Sequence, residues 1–284
     1  MNPSKILAFL AQGTGTPANT TARFGAGSSD ILTALLEEGS VHLSKGRYTI
    51  NDDGYTSSVL SYQCGEPVVY FPKCASTNDI ADRKAKEGWT GVVTTDFQER
   101  GRGRLGRVWQ SSSADNLLFS MVVRPQISVP QASRITLVWA AEIADELDLY
   151  VKWPNDIVDD QDRKVGGLLS SVHLVDNRVE YIVFGVGLNV NQHDFQGLPH
   201  AISLSALRKE PQSRNVLLQR LVKRVRDVDP LKDFSLWKKL SRTLGRKVRI
   251  GSVEGIASTI REDGALIVSG IPVLTGDVHL LEGE

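Results

Sequence analysis

The sequence predicts an α+β fold built around one substantial domain, and three observations carry that expectation. Over residues 64–236, short apolar strand-like runs alternate with amphipathic helical stretches. After residue 237, several short strands crowd into fewer than fifty residues, which suggests a small barrel. Before residue 63, helical stretches are followed by a small hairpin, the outline of a winged helix-turn-helix. A chain of 284 residues with 41% hydrophobic and 23% charged residues can bury such a core and is not disordered. Lys and Arg number 33, as do Asp and Glu, so bulk charge does not hold this protein to nucleic acid or an anionic membrane. No apolar run approaches the ~18–20 residues that span a bilayer, and the N-terminus reads as a mature helix, not a signal peptide. Cys64 and Cys74 form neither a CxxC pair nor a disulfide framework. They are expected to be isolated thiols in a reducing, cytoplasmic compartment.

In the first region, Ile6, Leu7, Phe9 and Leu10 mark an amphipathic helix, followed by a segment rich in Gly, Thr, Ala and Ser. Ser28-Ser29-Asp30 reads as the cap of a helix through Glu38 that Gly39 stops. Val41–Leu43 and Arg47–Ile50 flank a Ser-Lys-Gly turn, and the polar run 51–58 reads as a linker. In the second region, strands are expected at 68–71, 92–95, 117–123, 149–153, 165–174 and 179–186. Helices are expected at 77–86, 132–147 and 215–228, the last with Leu218, Leu221, Val222 and Val225 facing inward. The third region opens with a helix over 234–244 and continues into strands at 247–250, 255–260, 265–268 and 278–281.

The densest chemical signal is Arg100-Gly101-Arg102-Gly103-Arg104-Leu105-Gly106-Arg107, preceded by Gln98 and followed by Trp109. Glycines let the backbone approach a ligand, and arginines supply forked donors for carboxylate and phosphate. Together they predict a flexible anion-binding loop that orders around its ligand. A dinucleotide-binding turn is disfavoured, because a strand and not a helix follows. In Lys152-Trp153-Pro154-Asn155-Asp156, strand alternation sets Lys152 opposite Val151 and Trp153, and Pro154 leaves Asn155 and Asp156 at the strand mouth. Those three groups suit ATP and its metal, although a Pro-Asn-Asp turn beside a surface lysine has the same spelling. Lys164 precedes Gly166-Gly167, where a ligand could lie against the backbone. Gly185-Val186-Gly187-Leu188-Asn189 is a small-residue strand end that an edge bulge would also explain. Ser76-Thr77-Asn78 reads by itself as a helix cap.

In this order, the five segments resemble the biotin protein ligases, and the resemblance spans about residues 65–284. It implies a catalytic domain like that of class II aminoacyl-tRNA synthetases (64–236) and a C-terminal SH3-like barrel (237–284), which follow the winged-helix-like N-terminal domain (1–63) outlined by the helices and hairpin. It also implies the reaction: biotin and ATP give biotinyl-5′-AMP, and a lysine of the biotin carboxyl carrier protein of acetyl-CoA carboxylase then takes the biotinyl group. By motif position, biotin falls to Ser76, Thr77, Asn78, Gln98, Gly101, Arg102, Gly103, Arg104, Lys164 and Gly167. ATP or adenylate falls to Arg102, Trp109, Lys152, Asn155, Asp156 and Asn189. The catalytic groups implied are Lys164, Arg104 and Asp156, with Mg²⁺ on the ATP phosphates and Asp156 as its candidate protein ligand. Lipoate ligase is the nearest alternative, and the arginine–glycine loop with Lys-Trp-Pro-Asn-Asp favours biotin.

Some relatives of this type also repress transcription, and residues 1–63 leave two readings open: operator DNA binding, or a degenerate winged helix kept for packing or regulation. This region holds four basic residues (Lys5, Arg23, Lys45, Arg47) and five acidic ones (Asp30, Glu37, Glu38, Asp52, Asp53). Its candidate recognition helix carries no base. Between Arg208 and Arg249, fourteen Lys or Arg stand against four Asp or Glu, which reads as solvated helix faces or a surface steering an acidic carrier domain in preference to nucleic-acid binding. Whether the chain forms a homodimer is not legible.

Overall fold

A computed structural model describes residues 2–13, 15–52, 54–229 and 231–281; Asp53, counted above among the acidic residues, lies outside them. Helix α1 (Pro3–Leu10) is capped by Asn2, whose Oδ1 accepts the Ser4 amide at 2.9 Å. Helix α2 (Pro17–Phe24) was not expected from its Gly/Thr/Ala-rich surroundings; Thr16 followed by Pro17 is its start signal, a capping hydroxyl before a first-turn proline. In α3 (Ser28–Glu37), Ser28 does not cap as expected. It lies in the first turn, buried, and donates to the Gly25 carbonyl at 2.7 Å, because the preceding turn rotates it inward. Strands β1 (Val41–Ser44) and β2 (Arg47–Ile50) form the antiparallel hairpin. Ile6, Leu7, Leu10, Leu32, Leu35 and Val41 give this region its own small core.

The polar run read as a linker to residue 58 ends sooner, at helix α4 (Ser57–Cys64), capped by Thr56. Its serines looked like loop residues but dock the helix: Ser57 Oγ accepts the Tyr70 amide at 2.9 Å and Ser61 Oγ the Val68 amide at 2.8 Å. Leu60 and Cys64 enter the main core while Tyr62 packs on the N-terminal one, so α4 joins both and runs across the 63/64 boundary.

The main sheet takes β3 (Val68–Phe71), β4 (Gly91–Thr95), β5 (Leu117–Val123), β6 (Tyr150–Lys152), β7 (Asp156–Val158), β8 (Lys164–Val175) and β9 (Arg178–Leu188), in the order β3-β4-β5-β9-β8-β7-β6. Only β3 and β4 run parallel. Alternation along a strand sends successive residues to opposite faces. Val92, Phe119 and Met121 therefore join the large core under α6 (Val129–Glu146), while Val93 and Val122 meet Ala81 and Ala85 of α5 (Thr77–Lys86) on the other face. Covering both faces explains why β5 is an unbroken apolar run apart from Ser120. Helices α7 (Leu204–Arg208) and α8 (Arg214–Arg226) follow, and α8 buries Leu218, Leu221, Val222 and Val225 as expected.

The basic stretch is not a free cationic surface. Eight of its fourteen cations are paired with acids: Arg224 and Lys232 meet Glu142, Arg220 meets Glu146, Arg214 meets Asp96, Arg226 meets Glu66, Lys247 meets Glu254, and Arg242 and Arg246 share Asp162. Glu142 and Glu146 of α6 and Asp162 between β7 and β8 neutralise five of the eight in place, so a steering surface rests on the six cations outside these pairs. Helix α9 (Ser235–Leu240) stops four residues short of the expected Leu244. The chain turns extended there to run beside β6: the Arg242 amide donates to the Val151 carbonyl and Thr243 Oγ1 accepts the Trp153 amide.

The C-terminal residues form a five-stranded antiparallel sheet from β10 (Lys247–Ile250), β11 (Val253–Ile260), β12 (Leu266–Val268), β13 (Ile271–Val273) and β14 (His279–Leu280), ordered β13-β12-β11-β10-β14. Strand β13 was not expected; its Pro272 is tolerated because the strand lies on the sheet edge. Val248, Ile250, Ala257 and Leu266 belong to the main core, and the buried Trp153 donates its indole N–H to the Gly264 carbonyl at 3.1 Å. The sheet is thus docked against the residues just before Pro154.

Candidate active site

One cavity of about 470 Å³ opens at the ends of β6, β7, β8 and β9, between the arginine–glycine loop and the C-terminal sheet. Ser76, Thr77, Asn78, Gln98, Arg102, Gly103, Arg104, Trp109, Lys152, Asn155, Asp156, Lys164, Gly167 and Asn189 all line it. Of the residues to which the resemblance assigns a role, only Gly101 stands behind the wall. A Cβ there would lie 2.6 Å from the Trp109 carbonyl oxygen, so the glycine lets the two arms of the loop close together.

At one end, Ser76 occupies the cap position of α5 but makes no capping bond. Thr77 instead turns to Gln98: its amide and hydroxyl donate to Gln98 Oε1 at 2.8 and 3.1 Å. Ser120, fully buried in β5, lies 2.7 Å from Thr77 Oγ1 and 2.5 Å from Asn78 Oδ1, its one proton serving either acceptor. Sequence reasoning missed Ser120, although a lone hydroxyl in an apolar strand was a visible signal. Asn78 lies flat on β9, where a Cβ at Gly185 would meet its Oδ1 at 2.3 Å.

The glycine–glycine spacing of β9 is therefore not an edge bulge. The strand sits inside the sheet between β5 and β8 with unbroken pairing through Gly185 and Gly187. A Cβ at Gly187 would touch the Trp109 ring at 2.6 Å, so the missing side chains make room for Asn78 and Trp109. The indole Nε1 of Trp109 is buried without a hydrogen-bond partner, which fits a site awaiting an acceptor.

At the other end, Lys164 Nζ lies 2.7 Å from Asp156 Oδ1 and 5.6 Å from the centre of the Trp109 ring. The β7–β8 pairing sets Asp156 opposite Gly167, and the absent side chain leaves space over both charged groups. Asn155 donates to the Leu168 carbonyl, and its Oδ1 faces Arg104 Nη1 at 3.5 Å. The amide of Asn189 is committed to the Lys164 and Ile202 carbonyls, each at 3.3 Å, so it fixes the following loop to β8.

The loop is ordered through contacts with its own chain. Gly103 donates to the Arg107 carbonyl at 2.8 Å and Trp109 to the Gly101 carbonyl at 3.0 Å, making a narrow hairpin with Leu105 at φ 54° and Gly106 at φ 75°. Arg102 pairs with Asp79, and Arg107 with Asp277. Burial pulls the Arg104 guanidinium below its usual pKa, and the Asp277 and Asp156 carboxylates oppose that. Two further stretches of wall went unrecognised in the sequence: Phe195 to Ala201, and Asp277 to His279 of the C-terminal sheet. Neither carries a spacing that marks it. Both thiols, Cys64 and Cys74, are free as expected, and both are buried. Among the described residues, no helix is long and apolar enough to cross a membrane.

Fold and cavity together define a domain that gathers cations around one half-enclosed cavity, with aromatic and apolar walls beside them. The chain belongs to the biotin/lipoate A/B protein ligase family, whose model matches residues 70–189, and within it to the biotin protein ligases. It is 30% identical over 231 residues to the bifunctional ligase/repressor BirA of Bacillus spizizenii, covering 72% of this chain and 70% of that protein. It is also 30% identical to the biotin–[acetyl-CoA-carboxylase] ligase of Mycobacterium tuberculosis over 217 residues, 66% of this chain and 79% of the relative. Its fold resembles the biotin protein ligase of Aquifex aeolicus solved with biotin and ATP, at a TM-score of 0.60 and 24% identity, over 76% of this chain and 99% of that one.

Proposed function

We propose that this chain activates biotin with ATP inside the described cavity and passes the biotinyl group to a lysine of a carboxylase's carrier domain. The observation that carries the reading is the convergence of Arg104, Lys164 and Lys152 on one cavity whose other end is polar but uncharged. Two anions, a carboxylate and a triphosphate, repel one another unless cations stand between them. In this reading, Thr77, Gln98 and Asn78 hold the ureido ring of biotin with Ser76 beside them, and Gly101 and Gly103 let the loop fold over it. Arg102 and Arg104 take the carboxylate and the α-phosphate. The carboxylate oxygen bonds to the α-phosphorus as pyrophosphate leaves. The carrier's lysine amine then bonds to the acyl carbon as AMP leaves.

Lys164, held by Asp156, neutralises the charge that builds on the acyl-phosphate oxygens in both steps, and Gly167 keeps the space above it open. Lys152 faces the phosphates, Asn155 contacts the nucleotide, and Trp109 and Asn189 form the wall for adenine. Magnesium, when bound, supplies further charge neutralisation on the phosphates. Asp156 would hold it together with ATP oxygens, which suits an ion that takes one carboxylate plus substrate phosphates. Among the described residues, no group of three or more His, Cys, Asp or Glu could hold a metal by itself.

The same reading divides the chain into a winged-helix-like unit (1–63), the catalytic domain (64–236) and an SH3-like barrel (237–284). No observation favours operator binding as a second function: the exposed side of α3 offers Asp30 and Glu37 and no cation. The deciding experiment is ATP–pyrophosphate exchange. Exchange should appear with biotin and not with lipoate; exchange driven by lipoate alone, or by neither acid, overturns the reading.

A further inference from the structure

The arginine–glycine loop is fastened from the far side of the cavity by the turn between β13 and β14. Arg104 Nη2 donates to Thr275 Oγ1 at 2.9 Å, Arg104 Nη1 donates to the Gly276 carbonyl at 3.3 Å, and Arg107 pairs with Asp277. These partners lie some 170 residues along the chain from the loop they hold. Glycine is required at 276: its φ of +139° disfavours a side chain, and a Cβ would strike Ile250 at 2.4 Å. The turn is thereby seated on β10 with its carbonyl aimed at Arg104. Because the loop is a closed hairpin, holding Arg104 and Arg107 holds the whole of it.

We propose that Thr275, Gly276 and Asp277 form a latch that keeps the loop shut over the acyl-adenylate, with Asp277 a positioning residue for the known family chemistry. This rests on the adenylation reading above. One exposed ion pair contributes little by itself, but here three contacts act on a segment of four residues, so the loop opens only when all three part. An open loop admits water to a mixed anhydride, and the product is then lost by release or hydrolysis instead of transfer. Asp277 therefore governs retention of the intermediate more than its formation. The latch also makes the C-terminal sheet a working part of the site without lending it a reacting group.

Two measurements on the full-length chain test this. In the first, wild type, Asp277→Asn and Asp277→Glu are loaded with biotin and ATP, and dissociation of labelled adenylate is followed after an unlabelled chase. Release should quicken about three- to fivefold in Asp277→Asn, the upper range for loss of one exposed ion pair. Exchange kcat should move less than about twofold, and Asp277→Glu, which keeps the charge, should release more slowly than Asp277→Asn. In the second, trypsin is added to the ligand-free proteins, and Asp277→Asn should be cut sooner between Arg100 and Arg107. Wild-type release and cleavage in Asp277→Asn overturn the latch, as does an equal loss of exchange and retention in both variants, which marks a merely structural role. If wild type forms no biotin-dependent adenylate, the adenylation reading fails, and the trypsin comparison still decides whether the contact holds the loop.

Discussion

Lys164 begins β8 with its amide tied to the His200 carbonyl at 2.6 Å and its ammonium against Asp156, so the backbone places a cation that the rest of the site can rely upon. Losing one such donor costs about 10²–10³ in rate where charge develops in the transition state. Lys164→Ala should lower biotin-dependent ATP–pyrophosphate exchange by that factor while its thermal unfolding stays near that of the wild type. Near-wild-type exchange would remove Lys164 from the chemistry. Lys164, Asp156, Arg104 and Gln98 were legible in the sequence, because charged and amide side chains crowded among glycines have no packing purpose. Ser120 and Asp277 were not. A buried serine and an aspartate near the C-terminus gain meaning only from what stands beside them, Thr77 and Asn78 in one case and Arg107 in the other.

At the scale of an element, β9 shows why a central strand of this sheet carries two glycines despite their weakness in a ladder. Gly185 and Gly187 point at Asn78 and Trp109, and both contacts are shorter than a Cβ permits. Gly187→Val should push the Trp109 ring out of the wall. Crowding of this kind costs about 1–3 kcal/mol in folding, and the KM for ATP should rise about tenfold; steady-state exchange at varied ATP measures this, and an unchanged KM would show that Trp109 does not serve the nucleotide. Strands β5, β8 and β9 were readable from their apolar runs. Helices α2 and α4 were not, because eight residues rich in Thr or Ser are too short to show a repeating apolar stripe, and β13 is only three residues long.

Across the whole molecule, the zero net charge resolves into local pairings. Asp162, in the turn between β7 and β8, accepts from Arg242 at 2.9 Å and from Arg246 at 2.6 Å, which ties the main sheet to the segment leading into the C-terminal sheet. Burial by itself would raise the pKa of Asp162, but the bonds from Arg242 and Arg246 hold it below the ordinary value. A carboxyl with a depressed folded-state pKa stabilises the fold above the unfolded value of about 3.9. That stability is lost as pH falls through the folded pKa. Asp162→Asn should therefore cost about 1–3 kcal/mol near neutrality, with the gap to wild type closing in acid; urea melts at pH 7 and pH 3 test it, and equal gaps at both would discount the pairing. The sequence by itself determined the α+β class, most of the residues that line the cavity and the family they belong to, since glycine–arginine and Lys-Trp-Pro-Asn-Asp chemistry is written in contiguous segments. Only the tertiary structure decided that more than half of the basic stretch is paired with acids, that α4 joins two cores, and that the C-terminal sheet holds the arginine loop. Those outcomes depend on pairs far apart in the chain, and the sign of a charge in sequence does not reveal which opposite charge the fold will bring against it.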